Sequence, residues 1–247
     1  MQEALNQALS GAYQSILTDE NLASLSQVEA SLGGVFLPSA PANPVSLMII
    51  GRETTGWLRG FRKIHELPRA DYIAASMTLH RELLNSPAGR SKFHQFFKTA
   101  SQLIEPTGGS VCWHNIFAVS FKRKSPVRCK AIESITELSK KLLLAQIEIL
   151  RPRALLFVTG PDYDTHIKAY FEGRITDSDV LEKRRLWSFK IDGMQCYRTN
   201  HPRCAKGASS RNKSLKEILN ITASLKTKSA LLSIGASKCS DVVRLEH

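Results

Sequence analysis

Four short stretches of this chain carry side chains that could act chemically on a ligand. The first is Gly51-Arg52-Glu53, where glycine permits a tight turn and the Glu53 carboxylate could orient or deprotonate a water molecule. Taken alone, this stretch is better explained by a Glu53 that caps the following helix or pairs with Arg52.

The second stretch, 112–117, places Asn115 within an apolar run, where asparagine is uncommon. The Asn115 amide offers both a donor and an acceptor, which suits the Watson–Crick edge of a pyrimidine. The alternative is a structural asparagine that satisfies nearby backbone. His114 would point to the opposite face of a strand, so only one of the two side chains can line a shared site.

The third stretch is 199–203, in which His201 precedes Pro202. A histidine fixed by such a turn can donate a hydrogen bond to a developing anion. The alternative is an exposed loop histidine, because His-Pro is a common dipeptide.

Clusters of basic residues form the fourth feature, and they follow the Asn115 and His201 stretches directly. The chain has a formal net charge of +12 and a pI of about 9.7, which indicates an anionic partner, most commonly nucleic acid. A solvated charged face is the alternative. The clusters predict phosphate contacts from Lys122, Arg123, Lys124, Arg203, Lys206 and Arg211.

Buried strands that alternate with helices would position these stretches. Apolar runs predict strands at 45–50, 111–117, 154–159 and 194–199. Helical patterns fall at 70–84, 90–104, 130–150, 163–171 and 210–225. This alternation predicts an α/β fold, a three-layer α/β/α sandwich around a central, mostly parallel four-stranded sheet. Ligands bind beyond the carboxyl ends of such strands, where the candidate residues fall.

Three segments are predicted along the 247 residues. Residues 1–44 form a helical N-terminal extension packed on the core, with helices at 2–18 and 20–32. Residues 45–226 form the α/β domain. Residues 227–247 form a C-terminal tail whose last three residues resemble the start of an expression tag.

Cysteine usage and hydropathy bear on the cellular setting. Five widely spaced cysteines without a C-x-x-C pair argue against a zinc ribbon or a disulfide scaffold and for a reducing compartment. No apolar run approaches the roughly 20 residues that a membrane-spanning helix needs. We therefore expect a cytoplasmic protein with no membrane partner. We also expect a monomer.

In their order along the chain, these stretches resemble the motifs of the uracil-DNA glycosylase superfamily, over residues 45–220. The stretch 51–53 resembles the Gly-x-Asp-Pro or Gly-x-Asn-Pro motif that supplies the water-positioning residue, with Glu53 in that place. Asn115 resembles the asparagine that reads the base. Residues 152–160 are similar to the family's apolar strand that ends in glycine.

The stretch His201-Pro202-Arg203 resembles the His-Pro-Ser-like motif that opens a DNA-inserting loop. The sequence departs from the family pattern at three positions: Thr54 replaces proline, Glu53 replaces Asp or Asn, and Arg203 replaces serine. These departures leave open an altered base other than uracil.

The resemblance implies a metal-independent DNA glycosylase that hydrolyses the N-glycosidic bond of a flipped-out uracil or other altered base in single- or double-stranded DNA. The resemblance implies no cofactor, and a DNA substrate would associate the protein with the nucleoid. Glu53 and His201 would be catalytic. The base would contact Gly51, Arg52, Asn115 and an aromatic ring, for which Trp57, Phe61 and Phe117 are candidates.

Two other functions are compatible with the same residues. A protein with this fold could bind nucleic acid without catalysis, and Glu53 and His201 would then be dispensable. A nucleotide-processing α/β hydrolase would act on a free nucleotide and bind long DNA weakly. A steep fall of DNA affinity with salt would favour the nucleic-acid functions over this one.

Overall fold

A six-stranded mixed sheet forms the centre of the protein. The computed structural model describes residues 1–106 and 109–221. The strands lie in the order β2-β1-β3-β6-β5-β4, in which β2, β1, β3 and β6 are parallel and the last two pairings are antiparallel. Their bounds are β1 Leu47–Gly51, β2 Val111–Asn115, β3 Ala154–Phe157, β4 Ile175–Glu182, β5 Leu186–Ile191 and β6 Met194–Thr199.

The four predicted strands are confirmed as the parallel part of this sheet. Every residue of β1, β2 and β3 is buried. Alternate residues of β1 enter two separate apolar clusters, Met48 and Ile50 on one face and Leu47 and Ile49 on the other. The sheet is therefore covered on both faces, which explains why its strands are continuous apolar runs in the sequence.

The prediction of a four-stranded sheet is wrong, because β4 and β5 extend the sheet beyond β6. Residues of β4 are mostly exposed and polar, so this edge strand has no apolar pattern. Strands β5 and β6 are joined by the two-residue turn Asp192-Gly193, and both turn residues have positive φ angles. Asp-Gly between two strands is typical of such hairpins.

The predicted helices over the α/β region are confirmed, with ends that shift by a few residues. The predicted helix 20–32 is wrong as a single element, since it is a short helix followed by the 3₁₀ turn Ser26–Ser31. The helix predicted at 210–225 spans 208–221, and its remaining residues lie outside the described ones. The helices are α1 Gln2–Ile16, α2 Asp19–Ala23, α3 Lys63–Glu66, α4 Arg69–Asn85, α5 Lys92–Ile104, α6 Ile132–Leu150, α7 Asp164–Tyr170 and α8 208–221.

The helices cover the sheet on its two sides. Helices α1, α6 and α7 contribute to the apolar cluster on one face, and α5 and α8 contribute to the other. Leu9 and Tyr13 of α1 are fully buried there, so the N-terminal helix shares the core of the sheet. The C-terminal tail predicted at 227–247 lies outside the described residues. Among the helices described, none has the length and apolar character to cross a membrane.

Parallel pairing brings the ends of the central strands to one edge of the sheet. Gly51 at the end of β1 is in register with Asn115 at the end of β2. The segments that follow β1, β2, β3 and β6 therefore meet at this edge, where the polar stretches predicted from the sequence lie.

Candidate active site

Glu53 follows β1 and is held by a tyrosine from the segment after β3. The Tyr163 hydroxyl lies 3.2 Å from Glu53 Oε2 and 2.8 Å from Ser125 Oγ. Burial raises the pKa of Glu53, whereas the Tyr163 hydrogen bond and the charges of Arg52 and Arg203 oppose that rise. The carboxylate is therefore poorly hydrated and depends on these neighbours for its negative charge.

Tyr163 remains a neutral donor at neutral pH. Its burial, followed by the nearby Glu53 charge, raises its pKa to about 12. A phenol carries a single proton, so it donates to Glu53 or to Ser125 but not to both at once. When the Ser125 hydroxyl donates to the Tyr163 oxygen, the Tyr163 proton is directed to the Glu53 carboxylate.

Arg52 spans the ends of β1 and β3. Its Nε donates to the Thr159 carbonyl oxygen at 2.7 Å, and its guanidinium carbon lies 4.9 Å from the centroid of the Tyr163 ring. Gly160 leaves room for this side chain, since an added Cβ there would lie 3.1 Å from Arg52 Nη2. The predicted site residue Arg52 is therefore a fixed positive charge beside Glu53 and Tyr163.

Asn115 ends β2 with both ends of its amide engaged. Its Nδ2 donates to Thr54 Oγ1 at 2.7 Å, and its Oδ1 accepts from Trp113 Nε1 at 3.0 Å. One N–H and one lone pair of the amide are free of these two bonds. His114 points to the opposite face, where its Nδ1 lies 2.8 Å from Gln146 Oε1 of α6.

His201 follows β6 and is a hydrogen-bond donor in its neutral form. Its Nδ1 accepts from the backbone N–H of Arg203 at 3.2 Å, so the single proton of the neutral ring is on Nε2. Burial lowers the pKa of His201 to about 4, aided by the charges of Arg52, Arg203 and Arg211. At neutral pH the ring can therefore offer Nε2–H without being charged.

Arg211 holds the loop that carries His201. Its Nη1 lies 3.3 Å from the carbonyl oxygens of Asn200 and His201 and 3.1 Å from that of Cys204. The residue is 6% exposed. Gly207 is required beside it, because an added Cβ would lie 2.6 Å from Asn200 Cβ and 2.9 Å from Arg211 Nη1. The contacts of Arg211 are thus with the loop, and its predicted contact with DNA stays a prediction.

Phe93 of α5 is a site residue that the sequence did not indicate. Its ring centroid lies 6.4 Å from that of His201, with 29° between the planes. An added Cβ on Gly51 would lie 2.7 Å from Phe93 Cε2 and 2.8 Å from Asn115 Oδ1. Phe93 therefore adjoins three predicted site residues at once, and Gly51 is the residue that admits this approach.

The rings predicted to stack on a base are packed into the core. Trp57 is 4% exposed, and its Nε1 donates to Ser76 Oγ at 2.8 Å. Phe61 and Phe117 are almost fully buried within the cluster on the α6 face. A stacking role for these three rings stays a prediction. Phe93 is also buried, at 8% exposed, but its ring lies next to Gly51 and faces that of His201.

Two clefts open at this edge, and both are lined by cations. One of about 500 Å³ contains His201, Arg52, Lys206 and the β4–β5 turn 183–185. Arg203 is exposed on the same loop.

The second cleft, of about 550 Å³, lies among the segments that follow β1 and β2. Its walls include Lys122, Arg123 and also Arg59, which the sequence did not single out. Lys122 and Arg123 adopt left-handed φ angles of 47° and 59°, and Lys124 beside them is exposed. Backbone strain of this kind often accompanies functional loops.

Four cysteines are free thiols: Cys112, Cys129, Cys196 and Cys204. Cys239 lies outside the described residues. Within 1–106 and 109–221, no group of three or more His, Cys, Asp or Glu side chains could hold a metal ion. The chemistry that these residues can offer is that of a carboxylate, a neutral imidazole and a fixed amide.

Comparison with known proteins identifies no family for this chain. The sequence matches no protein-family model and no curated protein. The function must therefore be inferred from the residues of this chain and their arrangement.

Proposed function

We propose that this protein is a DNA glycosylase, which hydrolyses the N-glycosidic bond of a flipped-out uracil or other altered base. The observation that carries the proposal is the presence of a partly buried carboxylate and a neutral imidazole donor at the same edge of the sheet. Glu53 and His201 both lie within the electrostatic influence of Arg52 and Arg203, at the same edge of the sheet. Glu53 precedes His201 along the chain, in the order in which the uracil-DNA glycosylase superfamily carries the motifs that these residues resemble. We propose that this chain shares the three-layer fold of that superfamily.

The proposed reaction divides the developing charges between these two side chains. As the C1′–N bond breaks, its electron pair moves to the base and positive charge develops on the sugar. The Glu53 carboxylate stabilises that positive charge and accepts the proton of the water that adds to C1′. His201 Nε2–H donates a hydrogen bond to the departing base anion.

Base recognition is assigned to Asn115 and Phe93. The remaining N–H and lone pair of the Asn115 amide suit the donor and acceptor pattern of a pyrimidine edge, and Thr54 and Trp113 keep the amide in one orientation. Phe93 lies beside both Asn115 and His201, which makes it the best candidate for the ring that stacks on the flipped base.

DNA binding is assigned to the two cation-lined clefts. Lys122, Arg123 and Lys124 lie on one side, and Arg203 and Lys206 lie on the other. Contacts of this kind hold phosphates on either side of a flipped nucleotide without reading sequence. A DNA substrate would place the protein at the nucleoid, within the cytoplasm.

A panel of labelled oligonucleotides tests this proposal. Single and double strands carry uracil or another altered base, and alkali then cleaves any abasic sites. Glu53→Gln and His201→Ala are compared with the wild type and with matched variants of exposed residues, Glu66→Gln and His65→Ala. We expect strand breaks that need both Glu53 and His201 and that neither control affects.

Two other results would reject the glycosylase. Salt-sensitive DNA binding with no breaks on any substrate would favour the non-catalytic binding protein. An absence of both breaks and DNA binding would favour the enzyme acting on a free nucleotide.

A further inference from the structure

The turn between β4 and β5 brings cations into the cleft beside His201. Lys183, Arg184 and Arg185 line this cleft of about 500 Å³ together with Arg52 and Lys206. The turn belongs to the hairpin that the sequence did not predict. Pairing of β5 with β6 places it next to the loop that follows β6.

Hydrogen bonds hold the turn to the start of α8 and to the loop that follows β6. Ser210 Oγ at the start of α8 donates to Glu182 Oε2 at 2.7 Å, and Arg185 N–H closes the turn on the Glu182 carbonyl at 2.9 Å. With the Asn200 amide oriented so that its nitrogen faces the turn, that nitrogen lies 3.0 Å from the Arg184 carbonyl oxygen. The cations are therefore exposed side chains on an anchored backbone.

The backbone of the turn is also unusual. Arg184 has a φ angle of 60°, in the left-handed region that side chains rarely adopt. A bulky residue held there is a strained feature that the surrounding bonds must maintain. Asn200 precedes His201 directly, so the hydrogen bond between Asn200 and Arg184 also fixes the turn relative to His201.

Positive charge in this cleft greatly exceeds negative charge. Asp162 is the one acidic residue among the described residues that line it, and it pairs with Arg184 at 3.5 Å. This pair leaves Lys183 and Arg185 available to an anion from solution. A compact anion such as a phosphate would meet several donors here at once.

We propose that Lys183 and Arg185 form a clamp for one backbone phosphodiester, next to the flipped nucleotide on its His201 side. This proposal rests on the proposed function, since it takes the nucleotide at His201 to be part of DNA. The clamp would hold that nucleotide after it leaves the stack. A free nucleotide offers the same phosphate chemistry, and we commit to the phosphate of a DNA chain.

A charge-removing double variant tests the clamp. Lys183→Gln together with Arg185→Gln leaves Arg184 and the turn conformation in place. The matched control, Lys140→Gln with Lys141→Gln, removes two charges from the middle of α6. The probe is a fluorescent oligonucleotide with a central tetrahydrofuran abasic site, and its affinity is measured by anisotropy over a salt series.

We expect the clamp variant to bind this probe roughly tenfold more weakly than the wild type, or about 1.4 kcal/mol. Its plot of log affinity against log salt should flatten by about one unit for each phosphate that the variant no longer binds. The control should change affinity less than about twofold. Thermal unfolding of both variants checks that each is folded.

A second arm assigns the effect to one phosphate. A neutral methylphosphonate replaces each phosphate that flanks the abasic site, one at a time. At one position we expect a roughly tenfold loss for the wild type and no further loss for the clamp variant. The clamp would be overturned if the losses caused by the methylphosphonate and by the clamp variant multiplied at every position. It would also be overturned if the clamp variant kept the wild-type affinity.

Failure of the clamp and failure of the glycosylase are distinguishable, because affinity is read without bond cleavage. Wild-type protein that binds the probe through the clamp but excises no base would reject only the glycosylase. Excision with normal binding by the clamp variant would reject only the clamp. Tight wild-type binding of deoxyuridine monophosphate without binding of the probe would overturn the DNA phosphate as ligand.

Discussion

The Tyr163 hydroxyl lies 3.2 Å from Glu53 Oε2, although the two residues are 110 positions apart in the sequence. Ser125, from a third segment, lies 2.8 Å from the same hydroxyl. Burial raises the pKa of Glu53, and the hydrogen bond from Tyr163 is the largest effect that lowers it. The ionised state of the proposed catalytic carboxylate thus depends on a residue with no direct role in the bond-breaking step.

Replacement of Tyr163 by phenylalanine should therefore move the pH dependence of excision. Catalysis needs ionised Glu53, whose pKa is raised by burial, so the rate rises with pH through the Glu53 pKa. Loss of the donor raises the Glu53 pKa further, so the acidic limb of kcat/KM should move to higher pH. At neutral pH the loss should be about two- to tenfold, the contribution of one hydrogen bond.

Tyr170→Phe is the control for this pH profile. Tyr170 is also buried in the same apolar cluster, but its hydroxyl donates to the Ile116 carbonyl at 2.9 Å rather than to Glu53. This variant should lose some stability and keep the wild-type pH profile. A Tyr163→Phe variant with the wild-type pH profile would show that Tyr163 does not control the ionisation of Glu53.

Replacement of Phe93 by alanine should impair catalysis more than stability alone explains. Stacking of a base on an aromatic ring contributes about 1–3 kcal/mol, so we expect kcat/KM to fall roughly 5- to 150-fold. Phe97→Ala is the matched control, since Phe97 lies one turn further along α5 and is also buried. Equal catalytic losses for two equally destabilised variants would show that Phe93 serves only in packing.

The bond from Asn115 to Thr54 should sharpen base discrimination. Thr54→Val removes the hydroxyl that accepts from Asn115 Nδ2 at 2.7 Å and keeps the shape of the side chain. An amide held by Trp113 alone should discriminate less between the preferred base and its competitors, by about 1 kcal/mol or fivefold in the ratio of kcat/KM values. Thr54→Ser keeps the hydroxyl and should retain the wild-type ratio, whereas equal ratios in all three proteins would contradict this role.

Acid should destabilise the protein through its buried histidines. Burial lowers the pKa of His114 to about 4, from a usual value of 6.5. The unfolded chain therefore binds a proton that the folded protein excludes, so stability is lost as pH falls from 6.5 towards 4, by roughly 3 kcal/mol for this residue. Urea unfolding between pH 7 and pH 4.5 measures this loss.

His114→Gln isolates the contribution of that histidine. The variant should be less stable at pH 7, and its stability should fall less steeply with acid, by about 1.4 kcal/mol per pH unit. His65→Gln is the control, because His65 is exposed and lies 3.5 Å from Glu29. A His114→Gln slope equal to that of the wild type would contradict a neutral, buried His114.

The sequence predicted the parallel strands well because their burial is local and complete. Residues 47–51 and 154–157 have no polar side chain among them, since helices cover both faces of the sheet. The hairpin was missed for the opposite reason. Strand β4 is exposed at the sheet edge and carries polar residues, although Asp192-Gly193 was a turn signal that could have revealed the pairing of β5 with β6.

Site residues that follow strands could be predicted, whereas those that arrive through tertiary packing could not. Glu53, Asn115 and His201 each lie close to the end of a parallel strand, which is where ligands bind in such sheets. Phe93 belongs to the apolar face of an amphipathic helix, and sequence periodicity assigns such a residue to the core. Its position beside His201 depends on how α5 packs on the sheet, which local patterns do not encode.

The most direct test of the glycosylase is the intact mass of an oligonucleotide before and after incubation with the protein. On the correct altered base, wild-type protein should release the free base and leave an unbroken strand whose mass is lower by the base and higher by one hydroxyl group. Glu53→Gln should slow this change by at least about a hundredfold, as expected for loss of a general base. An unchanged mass for every altered base, or a strand cut at phosphate without loss of a base, would contradict the proposed function.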